Sequence, residues 1–230
     1  MTTRPRRTKK SAKPARRTLP VWPILIGAIV VAGILAVVFT SGGGDGDSAA
    51  AGETAPVEIT GAPLPRFTGA EDDPAIGEAA PVLDGSNFAG EPVTIPAANG
   101  NAKAVFFVAH WCPHCQDEIP RLAEWLETHD LPTGLELSIV STRVGESDDN
   151  SPASEWLDRE GVGDLTVMVD DDDSAAYSAY GAGGLPYVVY LDKDNNVVLR
   201  TAGEYQDDPE VYTELFENLA AGNSTEDPRL

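Results

Sequence analysis

The apolar and polar positions divide the chain near residue 40. Thr18–Gly44 carries no charged residue, and Val21–Phe39 is almost wholly apolar. Those nineteen residues, as a helix rising ~1.5 Å each, would reach about 28 Å, close to the ~30 Å hydrocarbon core of a bilayer. Residues 19–40 therefore read as one transmembrane helix, with Trp22 at an end where an amphipathic ring suits the interface. Residues 41–75 are rich in Gly, Ala, Pro, Asp and Glu without a periodic apolar pattern, and read as a flexible acidic linker.

Periodicity resumes near Ile76. Phe88–Ile95 predicts a hairpin or short strand, with a loop at Asn99-Gly100-Asn101. Ala104–Ala109 is a continuous β-prone apolar run, the mark of a strand buried on both faces. Ile119, Leu122, Ala123 and Leu126 then recur at helical spacing. Leu135–Val140 predicts the next strand. Ser151 as N-cap and Pro152 at the first helical position predict a helix to about Arg159. Leu165–Val169 is a strand, and Asp173 is expected to cap a short helix that Gly181 ends. Tyr187–Leu191 and Val197–Thr201 flank a turn at Asp192–Asn196 and predict an antiparallel hairpin. Asp208-Pro209 opens a last helix with Val211, Tyr212, Leu215, Phe216 and Leu219 on its apolar face. Trp125, Trp156 and Tyr190 are assigned to packing. This order predicts an α/β domain over residues 76–222, a mixed sheet with helices on both faces, and a disordered tail at 223–230.

Charge sharpens the topology. The 230 residues carry a net charge of -21. Residues 1–18 hold Arg4, Arg6, Arg7, Lys9, Lys10, Lys13, Arg16 and Arg17 and no acid, so residues 19–230 carry all 37 acids and a net of -29. A domain that acidic repels nucleic acid. The basic residues 1–18, abutting the apolar span, read as a cytoplasmic N-terminus, with the rest of the chain outside. The alternative is a cleaved signal peptide. Against it, the apolar stretch exceeds the usual ~7–15 residues, and Ala49-Ala50-Ala51 lies some way past it. Both readings put the domain outside the cytoplasm.

The chemistry concentrates in Ala109-His110-Trp111-Cys112-Pro113-His114-Cys115-Gln116-Asp117-Glu118-Ile119-Pro120, which holds both cysteines of the chain. Two cysteines exclude a disulfide-stapled scaffold, and they leave no spare thiol to mispair in an oxidising compartment. Placed at a strand-to-helix turn, Cys112 would cap a helix whose unpaired N–H groups and positive dipole end stabilise a thiolate. Pro113 fits the first turn because its missing N–H was unpaired anyway. Cys115, one turn on, faces back toward Cys112 and can close the ring as the resolving thiol, while His114 adds a cation. Stabilising the reduced, ionised form makes a disulfide more oxidising. Zinc would need two further ligands, and His110, His114 and His129 are the only histidines. A peroxidase would need a hydroxyl side chain at position 109, which is alanine. Neither a metal nor a cofactor is expected. Asp170–Asp173 reads as a solvated strand end with a helix cap, and His129 as a solvated helix end. His110 and Trp111 are expected to line the rim around the sulfurs.

Trp111-Cys112-Pro113-His114-Cys115 with Glu118 and Pro120, and Gly184-Leu185-Pro186 ahead of the apolar run Tyr187-Val-Val-Tyr-Leu191, resembles the thioredoxin superfamily. Over residues 76–221 the chain is most similar to membrane-anchored, extracytoplasmic oxidoreductases of the TlpA/ResA kind, while its Pro-His dipeptide resembles that of Dsb oxidases. The resemblance implies a thioredoxin fold, Cys112 as attacking thiol and Cys115 as resolving thiol, with a redox-active Cys112–Cys115 disulfide. It implies that Pro186 is a cis-proline opposite the pair, that the Leu185 backbone holds the substrate chain, and that Pro120 kinks the active-site helix. Thiols and disulfides of exported proteins would be substrates, with a membrane or extracytoplasmic redox partner. One departure stands out. The buried Asp that thioredoxins keep six residues before the first Cys is Phe106 here, and Glu118, expected to face solvent, does not obviously replace it. The motif leans toward disulfide oxidation; the tethered architecture suits a reductase, for example in cytochrome c maturation. A binding or holdase module with vestigial cysteines is the non-catalytic alternative.

Overall fold

A computed structural model describes residues 52–205 and 210–228. The strands are β1 (Glu58–Thr60), β2 (Val82–Ser86), β3 (Pro92–Ile95), β4 (Ala102–Val108), β5 (Leu135–Ser141), β6 (Thr166–Val169), β7 (Tyr187–Leu191) and β8 (Val197–Ala202). The helices are α1 (Pro113–Thr128), α2 (Ala153–Arg159), α3 (Ala175–Ala179) and α4 (Val211–Ala221). Five strands form a mixed sheet in the order β6-β5-β4-β7-β8. β4 runs parallel to β5 and antiparallel to β7, and β7 with β8 makes the expected hairpin.

The uninterrupted apolar run of β4 follows from its central place, where every residue is buried. Ala104, Phe106 and Val108 point to one face, and Val105 and Phe107 to the other. The first face is covered by α1, α4 and α2 through Ile119, Leu122, Trp125, Tyr212, Phe216 and Trp156. Burying one such large apolar side chain contributes roughly 1.5–3 kcal/mol. The second face carries its expected helix as well, the short α3, beside the small antiparallel sheet β1-β2-β3 and residues 64–80.

That face corrects the linker reading. From residue 52 onward the stretch expected to be a tether belongs to the fold. β1 pairs with β2, Leu64 and Ala75 are buried, and Asp73 is bonded to the buried Arg200 of β8. Leu64 N–H donates to the Ala179 carbonyl at 2.8 Å, and Phe67 N–H to that of Gly181 at 2.7 Å. Backbone pairing and one ion pair, neither of which has an apolar period, hold this segment. Phe88–Ile95 forms the turn and second strand of the β2–β3 hairpin, as expected, with Phe88 in the turn.

Two expected caps also differ. Pro152, not Ser151, is the N-cap of α2, following a cis bond. At α3 the expected cap Asp173 yields to its neighbours: Asp171 Oδ1 accepts from Ala175 N–H, and Asp170 accepts from Ala176 and Tyr177 N–H. Asp170 is thus buried rather than solvated, and Thr142 Oγ1 also donates to it at 2.7 Å. Burial pushes its carboxyl upward against these donors. Gly181 ends α3 with φ 66°, and a side chain there would strike the Pro65 carbonyl. The described part of the expected tail is not free either, since residues 224–228 line a cavity with α4 and Asp227 is largely buried. Among the described residues no helix is long and apolar enough to cross a membrane, and the expected span at 19–40 lies outside them.

Candidate active site

The site forms where β4 ends and α1 begins. Cys112 is the N-cap of α1 in extended conformation (φ -74°, ψ 118°), with Pro113 in the first turn. This is the geometry that the apolar run followed by Cys-Pro predicted. Opposite lies the loop into β7, where the Leu185–Pro186 bond is cis as expected. The Leu185 carbonyl lies 3.7 Å from Cys112 Sγ, so sequence-distant residues form one wall.

The two thiols differ in environment. Cys112 is 6% exposed, whereas Cys115 is wholly buried one turn further along α1. The Cys115 thiol donates to the Cys112 sulfur, and with the Cys115 and His114 backbone N–H groups and the His114 charge it pulls Cys112 down to about 6, against the opposing effect of burial. Burial pushes Cys115 well up, reinforced by its hydrogen bond to Cys112, the charge on that sulfur, and Glu118. At neutral pH the pair therefore holds one thiolate, on Cys112, and one thiol.

His114 stands exposed beside the pair, its Nδ1 3.2 Å from Glu204 Oε2. Pro113 is exposed as well. Trp111 is half-buried, its Nε1–H donating to the Arg143 carbonyl at 2.8 Å. The Arg143 guanidinium lies 5.9 Å from the Trp111 ring and 5.5 Å from that of Tyr177. Tyr177 OH in turn donates to the Gly184 carbonyl at 3.3 Å, so a chain of contacts runs from the Cys motif to the cis-proline loop. Pro120 lies inside α1, which continues past it to Thr128.

Two expectations fail here. His110 does not line the rim; it is fully buried, its ring nitrogens 2.5 Å from the Asp149 carbonyl and 3.1 Å from that of Val144. It anchors the loop after β5. Glu118 does not face solvent; it is fully buried on the inward face of α1. Tyr205 N–H donates to Glu118 Oε2 at 2.8 Å, and Tyr212 OH to Oε1 at 2.5 Å. The signal was present, because position 118 falls one turn after Cys115 on the stripe that also carries Ile119, Leu122 and Trp125. A carboxylate on that stripe contradicts its polarity, so the sequence pattern alone pointed outward. Arg143, Tyr177, Glu204, Tyr205 and Tyr212 were not singled out for the site, since only the folded chain brings them to it. Among the described residues no cluster of His, Cys, Asp and Glu is arranged to hold a metal ion.

Known proteins resemble this chain in sequence and in fold. A curated relative, tryparedoxin of Trypanosoma brucei brucei, is 26% identical over 111 residues, covering 47% of this chain and 73% of the relative. The fold is shared with a candidate thiol:disulfide interchange protein DsbE from Chlorobium tepidum, at a TM-score of 0.52 and 20% identity over 63% of this chain and 97% of that one. It is shared also with the thioredoxin domain of a thiol-disulfide oxidoreductase from Bacteroides vulgatus, at a TM-score of 0.50 and 19% identity over 63% and 98%. The model of the AhpC/TSA family matches residues 76–200, which contain the cysteine pair and the cis-proline. The chain belongs to that family, as a thiol–disulfide oxidoreductase of the thioredoxin superfamily.

Proposed function

We propose that this enzyme is anchored by residues 19–40 outside the cytoplasm and exchanges disulfides with exported proteins, chiefly as an oxidant. The observation that carries the reading is the asymmetry of the pair: Cys112 caps the start of α1, where its pKa is lowered to about 6, and Cys115 is wholly buried one turn on, where its own is raised. In the oxidising cycle a substrate thiolate attacks Cys112 of the Cys112–Cys115 disulfide. That bond breaks, and Cys115 leaves and takes up a proton. A second substrate thiolate then attacks the substrate sulfur of the mixed disulfide. The substrate disulfide forms, and Cys112 departs as a thiolate. A thiol of low pKa is the better leaving group, and a stabilised thiolate favours the reduced enzyme, so both effects drive substrate oxidation. A membrane or extracytoplasmic redox partner restores the disulfide by accepting the two electrons. His114 and the backbone N–H groups at the start of α1 support the thiolate. Trp111 and the Leu185 carbonyl flank the incoming chain.

Glu118 is the group placed to exchange the proton with Cys115, since the two side chains lie one turn apart on the buried face of α1. The same group favours a second reading, reduction of substrate disulfides, which requires Cys115 to lose its proton before it attacks the mixed disulfide. Equilibration with glutathione separates the two directions. A potential near about -120 mV supports oxidation, and one near about -270 mV overturns it in favour of reduction. Protease digestion of intact cells checks the topology, because a domain outside the cytoplasm is cut and one inside is spared.

A further inference from the structure

We propose that Tyr212, on the last helix, is a positioning residue that holds Glu118 ionised and aimed for proton exchange with Cys115. The inference rests on the reading that Glu118 exchanges that proton. Glu118 is fully buried, and a carboxylate withdrawn from water stays charged only if donors replace its hydration. The Tyr212 hydroxyl donates at 2.5 Å to one oxygen and Tyr205 N–H at 2.8 Å to the other. A phenol that donates to a carboxylate makes a short, charge-assisted bond, of the kind that sets how readily the carboxylate takes up a proton.

Among the described residues, the hydroxyls next to that of Tyr212 are engaged elsewhere. From α1 itself, Cys115 lies one turn before Glu118 on the same buried face, and Arg121 Nη1 donates to the Tyr205 carbonyl at 3.2 Å. From β7, the Tyr190 hydroxyl lies against that of Tyr205 at 3.1 Å. From the loop after β8, the Tyr205 hydroxyl donates to Thr201 Oγ1 at 3.2 Å. Tyr190 and Tyr205 thus spend their hydroxyls on each other and on Thr201, and Tyr212 turns its own to Glu118. The phenol itself is held protonated, since burial and the Glu118 charge push it well above its ordinary range. It therefore serves as a fixed donor and not as a second proton carrier.

In the step itself the Cys115 proton passes to a Glu118 oxygen. The Cys115 thiolate attacks Cys112, the Cys112–Cys115 bond forms, and the bond from Cys112 to the bound thiol breaks to release that thiol as its anion. Reduced full-length protein mixed with dithiobis(nitrobenzoate) reports each stage. Cys112 releases one coloured thiolate on attack, and Cys115 releases the second on resolution. In the wild type the rate of the second release should rise with pH along a limb set by Glu118. Tyr212→Phe keeps the ring and removes the donor, so the carboxylate holds its proton more strongly. The midpoint of that limb should rise by about one to two pH units, slowing the second release at least about tenfold below it, with the first release unchanged. An unmoved midpoint overturns the proposal. So does an equal shift in Tyr190→Phe, which loses a buried hydroxyl without touching the carboxylate. Glu118→Gln separates the two levels. If the limb disappears, the underlying reading stands and Tyr212→Phe decides the rest. If the limb persists, Glu118 is not the acceptor and both fall.

Discussion

At the scale of single residues, one helix start creates two unlike thiols from two identical side chains. Cys112 meets N–H groups and a neighbouring S–H donor, and Cys115 meets apolar packing and a buried carboxylate. The largest contribution to the lowered Cys112 pKa is the Cys115 thiol. Thiolate absorbance should therefore titrate with a midpoint of about 6, and Cys115→Ala should move it up toward the ordinary thiol range. An unchanged midpoint in that variant would assign the shift to the helix start alone. His114→Ala removes a smaller, charge-based contribution, so its midpoint should rise less than that of Cys115→Ala, by the same absorbance measurement.

Among the elements, the segment ahead of residue 76 does more than connect. Arg200 of β8 is fully buried, bonded through Nε and Nη2 to Asp73 and through Nη1 to the Pro65 carbonyl at 2.8 Å and the Tyr187 hydroxyl at 3.1 Å. Its guanidinium also faces the Phe67 ring at 5.3 Å. This one side chain ties residues 65–73 to the strand that follows the cis-proline. Asp73→Ala leaves a buried cation uncompensated and should cost about 3–5 kcal/mol in denaturant unfolding. A loss under about 1 kcal/mol would mean that water reaches the guanidinium. Asp170→Ala acts on α3, stripping the acceptor from Ala176 and Tyr177 N–H and from Thr142. We expect a loss of about 2–4 kcal/mol in the same measurement. Because Tyr177 stands between Arg143 and Gly184, that variant should also slow turnover of a peptide disulfide.

For the whole molecule, the thiol pair links redox state to pH. Between about pH 6 and the ordinary thiol pKa near 8.5, the unfolded reduced chain keeps a Cys112 proton that the folded one has lost. The unfolded state then binds more protons, so stability of the reduced protein rises with pH across that window and is lost as pH falls through about 6. Above the window Cys115 acts in the opposite sense, since its folded pKa is raised and the unfolded chain deprotonates first. Unfolding free energies of the reduced protein, referred to the disulfide form at each pH, should trace this rise and fall. A flat difference between pH 6 and 8 would contradict the Cys112 assignment. Much of the frame behind this was legible beforehand. β4, α1, the β7–β8 hairpin and α4 carry clean apolar periods, and Cys-Pro-His-Cys marks its own helix start. Residues 52–75 look like a linker in the sequence because backbone pairing and the Asp73–Arg200 bond leave no apolar rhythm.

By itself the sequence determined the order of the elements from β4 onward and the place of the cysteine pair at a strand-to-helix turn, while Pro186 as its opposing wall was implied by the resemblance to the thioredoxin superfamily. The first two depend on local preference and on motif spacing, which a linear chain carries in full. Only the tertiary structure decided the environment of the buried polar groups. Glu118 looks like a surface residue until α4 brings Tyr212 against it and the loop after β8 brings the Tyr205 N–H. His110 looks like part of the rim until the loop after β5 closes over it. A polar side chain is buried or exposed according to whether distant segments supply its partners, and that depends on which segments the fold brings together.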